Sequence, residues 1–262
     1  MLKISTWNIN SVRLRIQLVL DYLEESQTDI LCLQETKTED QHFPAAALAE
    51  AGWGHHVFRG EKSYNGVAII GRVPLTSTGH INWVGKNDCR HIAAKTDSGV
   101  EIHNFYIPAG GDVPDRDANP KFGHKLDFMS EMTDHFSANK PVKSVLVGDL
   151  NIAPLAEDVW STKQLQKVVS HTPIETDGLK KLMADGGWND AIRAYFGADE
   201  TLFSWWSYRA RDWAASNRGR RLDHVWVSDD LAGVVQDATI HSALRGAEKP
   251  SDHVPMSVVI AD

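Results

Sequence analysis

Asp149 and Asn151 stand one residue apart at the end of an apolar run in VLVGDLNIAP, and endings of this kind recur along the chain. Strand-like runs stop at Asn8 and Asn10 in STWNIN, at Glu35 in LCLQET and at Tyr106 in HNFYIP. Asp223 and His224 precede VWVS in RLDH, and Asp252 and His253 precede MSVVI in SDHVP. Each ending alone has a purely structural explanation. Asn8 suits a turn, Glu35 the first turn of a helix, Ser251-Asp252 an N-cap, Asp223 a surface ion pair and Tyr106 the core. Together they fit those explanations less well, because binding and catalytic residues collect in loops at one rim of a rigid scaffold.

Carboxylates and amide oxygens, without a Cys or multiple-His pattern, make a hard oxygen-rich site suited to Mg²⁺ or Mn²⁺ rather than Zn²⁺. A phosphate ester would be repelled by such a rim unless a cation bridged the two, so a divalent metal is expected from charge alone. His253 can donate to a phosphate oxygen or accept a proton from water, provided a carboxylate such as Asp223 fixes its tautomer. Asp149 can orient or deprotonate water, or protonate a leaving oxygen. Phosphate-ester hydrolysis needs rate gains of ~10¹⁷ and more, whereas one general base supplies ~10²–10⁴. Metal, base and charge-stabilising donors must therefore act together.

The elements that carry these residues are legible. LKISTWN, DILCLQ, GVAIIG, HIAAKT, VEIHNFYI, KSVLVGD, RLDHVWVS and HVPMSVVI have strand composition. Ser11 is expected as the N-cap of a helix with Val12, Ile16, Val19, Leu20 and Leu23 on one face. KFGHKLDFMSEMTDHF predicts a second helix, with Phe122, Leu126, Met129 and Phe136 on one stripe. VLVG and LCL are apolar on both faces, which calls for doubly covered sheets. The class is α/β or α+β with mixed sheets. Segments 108–120 and 153–176 read as long surface loops, and long loops are more often functional than decorative. With no linker, repeat or low-complexity stretch, residues 1–262 are expected to form a single domain.

A chain of 262 residues with 42% apolar and 24% charged content is that of an ordinary globular protein. No apolar run approaches the ~18 residues of a membrane span, and MLKISTWNIN lacks the apolar core of a signal peptide. A cytoplasmic location and no membrane partner are expected. Cys32 and Cys89 belong to no metal-type spacing and suit reduced thiols. The net charge of −8 argues at first against nucleic acid, but exposed charges separated by more than ~8 Å are largely screened, so the local distribution matters more.

TWNIN, LQETK, FYIP, GDLNIAP, RLDHV and SDHVP, in this order and spread from residue 2 to about 260, resemble the exodeoxyribonuclease III class of apurinic/apyrimidinic endonucleases, in the endonuclease/exonuclease/phosphatase superfamily. KFGHKLDF, SWWSYR and GRRLDH are closest to the DNA-repair branch. The resemblance implies a four-layered α/β sandwich, two mixed β-sheets face to face with helices outside. It implies Mg²⁺-dependent hydrolysis of DNA phosphodiesters, with Mn²⁺ as a substitute, cutting 5′ to abasic sites and removing 3′ nucleotides or blocking groups from duplex DNA. A monomer is expected. Carried over, Glu35 is the principal metal ligand with Asn8 beside it, Asp149 transfers the proton, and Asn151 stabilises the transition state. Tyr106 is the active-site tyrosine, His253 is the catalytic histidine oriented by Asp223, and Asp252 is a further metal ligand. Asp149, Asn151 and His253 also fall in the implied metal surroundings. Asn10 stands where some members have Asp.

Segment 204–221, SWWSYRARDWAASNRGRR, sets Arg209, Arg211, Arg218, Arg220 and Arg221 among Trp205, Trp206, Tyr208 and Trp213. Clustered arginines neutralise backbone phosphates, and aromatic faces accept a flipped sugar or an unstacked base. A solvated basic loop beside buried tryptophans is the alternative. Arg90 and Lys121 are further phosphate-contact candidates. Arg220 occupies the place before Arg-Leu-Asp where some relatives carry a tryptophan lining the abasic pocket. Inositol-phosphate phosphatases and sphingomyelinases share the rim but should lack this Arg/Trp segment. A non-catalytic DNA-binding scaffold should lack Glu35, Asp149 or His253, all of which are present.

Overall fold

The apolar runs that end in acids and amides are strands, and they belong to two sheets. The computed structural model describes residues 1–261. In chain order come β1 (Leu2–Asn8), α1 (Ile16–Ser26), β2 (Ile30–Gln34), α2 (Ala45–Glu50), β3 (His55–Arg59) and β4 (Val67–Gly71). β5 (Leu75–Gly79), β6 (His91–Thr96), β7 (Glu101–Tyr106), α3 (Pro120–Ala138) and β8 (Ser144–Asp149) follow. Then come α4 (Thr162–Leu165), α5 (Pro173–Gly186), β9 (Trp188–Asp190), α6 (Ala191–Phe196), β10 (Trp205–Trp206), α7 (Trp213–Ser216) and β11 (Gly219–Arg220). β12 (Asp223–Ser228), β13 (Val235–Ile240) and β14 (Met256–Ile260) complete the chain.

One six-stranded sheet has the order β13-β14-β1-β2-β4-β3 and the other β5-β6-β7-β8-β12-β9. Each holds one parallel pair, β1–β2 and β7–β8, in which a helix makes the crossover that parallel strands require. Alternation along the strands builds the layers. Ile30 and Cys32 of β2 face Val145, Val147 and Val225 of the other sheet. Leu31 and Leu33 face outward to Val19, Tyr22 and Leu23 of α1. Phe122, Leu126, Met129 and Phe136 of α3, with α5, cover the outer face of the second sheet at Phe105, Leu146 and Trp226. The result is a four-layered α/β sandwich. Among the described residues no helix is long and apolar enough to cross a membrane.

Two expectations need correction. Ser11 is not a helix cap: it adopts φ 86°, and α1 begins at Ile16 without a side-chain cap. The backbone from Ile9 to Val12 keeps donating to Gln34, Glu35 and Thr36 carbonyls, which delays the helix by a turn. Segment 153–176 is not a surface loop throughout. Ala153, Val159 and Leu165 pack with Leu222 in a small core of their own, and α5 starts inside the segment, at Pro173, behind a Thr172–Glu175 capping box. The strands β3, β5, β9 and β13 and the helices α5 and α6 lay outside the sequence reading. Cys32 and Cys89 are free thiols, both buried.

Several histidines are held neutral by the core. His91 and His103 stack with ring centroids 5.5 Å apart. Burial pushes His103 down to about 4, and burial followed by the Arg221 charge does the same to His224. Their folded values lie below the unfolded ~6.5, so the stability they confer is full above that pH and is lost as pH falls toward 4. Burial raises Asp149 to about 7, which works in the opposite sense. His253, raised to about 10 against its burial by Asp223 and Asp149, acts in the same sense as Asp149, but burial depresses His91 and His241 as well, so four lowered histidines outweigh the two raised groups. The urea midpoint is therefore expected to drop between pH 7 and pH 5. A midpoint that holds or rises over this interval would contradict the assignment.

Candidate active site

The rim is built where strand ends from both sheets meet. Tyr106 and Asp149 are register partners in the parallel pair β7–β8, and Asp149 and Asp223 are partners in the antiparallel pair β8–β12. One tyrosine and two carboxylates therefore lie side by side across three strands of one sheet. The other sheet brings Asn8 at the end of β1, Glu35 after β2, and Asp252 and His253 before β14. Gly148 makes the close approach of β7 to β8 possible. It has φ 143°, and a Cβ there would lie 1.9 Å from the Phe105 carbonyl oxygen. Asn10, Glu35 and Asn151 all adopt positive φ, at 47°, 50° and 55°; such strain in non-glycine residues gathers at functional sites.

Hydrogen bonds tie the sheets together at this point. Tyr106 OH donates to Glu35 Oε1 at 2.8 Å. Asn8 Nδ2 donates to both Glu35 Oε1 at 2.9 Å and Asp149 Oδ2 at 2.8 Å, while its Oδ1 accepts from Asn10 N at 3.1 Å. The Asn8 amide thus presents its nitrogen to the carboxylates. Asn151 N donates to Asp149 Oδ1 at 2.9 Å, and Asn151 Nδ2 to Ile107 O at 2.9 Å. His253 Nδ1 donates to Asp223 Oδ2 at 2.8 Å, which leaves Nε2 facing Asp149 Oδ2 at 3.7 Å. Asp223 is itself fixed by Ser204 Oγ at 2.6 Å.

Two like charges directly opposite on neighbouring strands are destabilising, and Asp149 and Asp223 are so placed with both side chains buried. The electrostatics follow. Burial pushes the Asp149 carboxyl up to about 7, with Asp223 and Glu35 adding repulsion against the pull of His253. Burial opposes charge on His253, but Asp223 and Asp149 prevail and raise it to about 10. Burial alone would raise Glu35, yet Lys37 and the bonds from Asn8 and Tyr106 hold it below the ordinary range. Burial, then Glu35 and Asp149, lift the Tyr106 hydroxyl well above its usual value, so it stays a donor.

The donor set fits a hard divalent cation. Ligand atoms of Asp149, Asp223 and His253 lie within 4.8 Å of one another, but a charged His253 bonded to Asp223 has no lone pair to give, so only the carboxylates of this group suit a cation. Asp223 Oδ1 is buried without a hydrogen-bond partner. On the other side, Lys37 Nζ already acts as a cation among these oxygens, 2.6 Å from Glu35 Oε2 and 2.6 Å from Asn10 Oδ1. Asp252 completes this side, accepting from Asn10 Nδ2 at 3.2 Å and Trp205 Nε1 at 3.0 Å.

Glu35, Tyr106, Asp149, Asn151, Asp252 and His253 line a cavity of about 580 Å³ together with Trp160, Trp205, Arg209, Arg218 and Arg220. The basic segment divides sharply. Arg221 does not face the cavity: it is wholly buried and paired with Asp158 at 2.6 Å and Asp190 at 2.8 Å. Arg221 follows β11 with its side chain in the interior, while Arg220 lines the cavity, so the two do not face DNA together. Arg211 is exposed on the loop outside the cavity. Trp206 and Trp213 pack on each other beside Phe203 and lie outside this cavity. Tyr208 bonds Arg15 and the Pro250 carbonyl. Arg90 lies 4.8 Å over the Tyr106 ring and is paired with Asp88; Lys121 is exposed at the start of α3.

Sequence reasoning missed several supporting residues. Gln34 Nε2 donates to Asn104 Oδ1 at 2.7 Å across the buried sheet interface; a polar residue inside each apolar run was the available signal. Lys37 stands within LQETK but was not singled out. Arg15, bonded to the Ile9, Asn10 and Lys249 carbonyls, and Lys125, buried against Glu175 and the Asn151 carbonyl, had no local signal.

Two face-to-face sheets with an acid, amide and histidine rim define a phosphoesterase fold, and residues 5–253 match the model of the Endonuclease/Exonuclease/phosphatase family, to which the chain belongs. Within it the chain falls in the exodeoxyribonuclease III/AP endonuclease family of nucleases. It is 29% identical over 269 residues to the exodeoxyribonuclease III of Haemophilus influenzae, covering 97% of this chain and 98% of that one. An AP endonuclease from Archaeoglobus fulgidus has the same fold at TM-score 0.92 and 32% identity, with complete coverage of both chains. The Neisseria 3′ phosphatase NExo, solved with a product DNA hairpin, superposes at TM-score 0.91 and 31% identity, again with complete coverage.

Proposed function

We propose that the chain is a Mg²⁺-dependent DNA repair nuclease that cuts duplex DNA 5′ to abasic sites and also removes nucleotides and phosphate groups from 3′ ends. The observation that carries this reading is the buried row Tyr106–Asp149–Asp223 closed by His253, beside a cavity lined by Arg209, Arg218 and Arg220. Relatives named for exodeoxyribonuclease, AP endonuclease and 3′ phosphatase activity support it. Both sheets contribute side chains to the one site, so residues 1–262 act as a single catalytic unit, and a monomer supplies all of it.

Glu35 would hold the metal, with Asp252, Asn10 and Asn8 around it, and the bound ion would neutralise phosphate charge on an otherwise acidic rim. Asp149, poised near neutrality by its burial, takes a proton from the attacking water. That water adds its oxygen to phosphorus, the bond from phosphorus to the 3′ oxygen breaks, and the 3′ oxygen takes a proton from solvent water, to which Asp149 returns the proton it accepted. His253, charged and oriented by Asp223, donates from Nε2 to a non-bridging oxygen. Asn151 holds Asp149 through its backbone N–H, and its amide NH₂ has a second hydrogen for the phosphate. Tyr106 fixes Glu35.

Two labelled duplexes test this, one with an internal abasic analogue and one undamaged with a recessed 3′ end. With Mg²⁺ a single cut is expected beside the analogue and a ladder on the undamaged end, and EDTA should abolish both. Mn²⁺ should restore them. Cleavage that persists in EDTA would remove the metal from the mechanism. Failure on both duplexes, with release of phosphate from inositol or lipid esters, would overturn the substrate.

A further inference from the structure

The cavity carries a positive charge that the reaction above does not use. Arg220 Nη1 donates to the Val169 carbonyl at 3.1 Å and to Ser170 Oγ at 2.6 Å. Its Nε is buried with no hydrogen-bond partner. The guanidinium lies 5.3 Å over the Trp205 ring. Glu175 acts on it electrostatically, but that carboxylate is committed to Lys125 Nζ, the Ser170 N–H and Thr172. An arginine held from behind and short of a carboxylate partner is a receptor for one, because its planar fork pairs with a carboxylate through two parallel bonds.

The place of this arginine relative to the reacting phosphate follows from strand pairing. Trp205 faces Arg220 across the β10–β11 ribbon and faces His253 through an isolated bridge. Adjacent strands lie ~4.8 Å apart, so the backbones of Arg220 and His253 are about 10 Å apart. A phosphate beside His253 and Asp149 and a short acid attached to it can therefore reach from one residue to the other. A neutral deoxyribose gains nothing from the charge, and it meets Arg220 where an apolar face of Trp205 would otherwise be offered.

We propose that Arg220 makes this wall a carboxylate-reading subsite, so that the enzyme favours 3′ ends blocked by the phosphate ester of a short hydroxy acid over ends or sites bearing a neutral remnant. The inference rests on the nuclease reading given above. For a 3′-phosphoglycolate the step is the same hydrolysis: water oxygen joins phosphorus, the bond from phosphorus to the 3′ oxygen breaks, and that oxygen takes a proton. The products are a 3′-hydroxyl and the phosphate monoester of glycolate, with no other reactant needed.

The test compares kcat/KM on duplexes ending in 3′-phosphoglycolate, in its uncharged glycolamide counterpart, and carrying an internal tetrahydrofuran. Hydrogen bonds to a charged group justify an expected wild-type preference for glycolate over glycolamide of about 10–100-fold. Arg220→Gln should bring that ratio close to one, and Arg220→Lys should restore only part of it, since an ammonium lacks the fork. A wild-type ratio near one, or a ratio that Arg220→Gln leaves unchanged, overturns the proposal. An equal fall on all three substrates would do so too, by making Arg220 a backbone-phosphate contact. A wild-type enzyme that cleaves none of them overturns the nuclease reading itself, a result distinct from cleavage without discrimination.

Discussion

Asp149→Asn is expected to slow DNA cleavage by ~10³-fold or more while duplex binding survives. The two side chains have the same shape, and Oδ1 can still accept the Asn151 N–H that now lies 2.9 Å away. What disappears is a group able to take a proton, together with one of two negative charges on directly paired strands. General acid–base groups contribute ~10²–10⁴, and Asp149 also holds the amide of Asn8 and faces His253, which places the loss toward the upper part of that range. Removing a buried carboxylate beside Asp223 relieves repulsion, so thermal stability should hold or rise. Affinity for an anionic substrate should do likewise. Single-turnover cleavage and fluorescence anisotropy on the same abasic duplex separate the two effects. Cleavage near the wild-type rate would take Asp149 out of the chemistry, and lost binding with intact folding would make it a substrate-holding group instead.

How much of this was visible in the residues depends on distance along the chain. Strand ends were legible because Gly148, Asn8 and Glu35 break apolar runs locally, and the candidate catalytic residues sit on those ends. Which ends belong to which sheet was not legible. The register that sets Tyr106, Asp149 and Asp223 in one row joins segments far apart in sequence, and no local periodicity encodes it. Ser11 misled because a good capping residue precedes a helical stripe, yet the chain is still bonded to the 34–36 turn there. Arg221 misled for a related reason. Alternation alone says that either Arg220 or Arg221 turns inward, but choosing between them needs Asp158 and Asp190, whose approach is a tertiary fact. Composition cannot distinguish an arginine waiting for phosphate from one already paired.

That pairing makes Asp158 the position where a single change should cost most stability. Its carboxylate accepts from Arg221 Nε at 2.6 Å and Nη2 at 3.1 Å, from the Leu155 N–H at 3.0 Å, and from Arg193 Nη2. Both Asp158 and Arg221 are wholly buried. Burial would raise the Asp158 carboxyl, but Arg221 and then Arg193 hold it below the ordinary range. Asp158→Ala would leave Arg221 with Asp190 and the His224 ring, and Arg193 with only the Gly197 and Glu200 carbonyls. Breaking a buried pair by removing one partner costs about 3–5 kcal/mol. For a chain of this size each kcal/mol lowers Tm by roughly 2–4 °C, so the variant should melt on the order of 10 °C lower. The urea midpoint should fall without a change in slope. Arg221→Met with Asp158→Leu removes both of these charges and should recover part of the loss, since a well-packed apolar substitute for a buried pair is often neutral, although Asp190 and Arg193 each lose a partner. Residual activity separates this network from the catalytic one. At a temperature where Asp158→Ala remains folded, Asp149 and His253 keep their partners, and cleavage should fall far less than in Asp149→Asn. A cost below about 1 kcal/mol, the scale of an exposed pair, would mean that water reaches Arg221, and the basic residue excluded from the DNA-facing set would have to be returned to it.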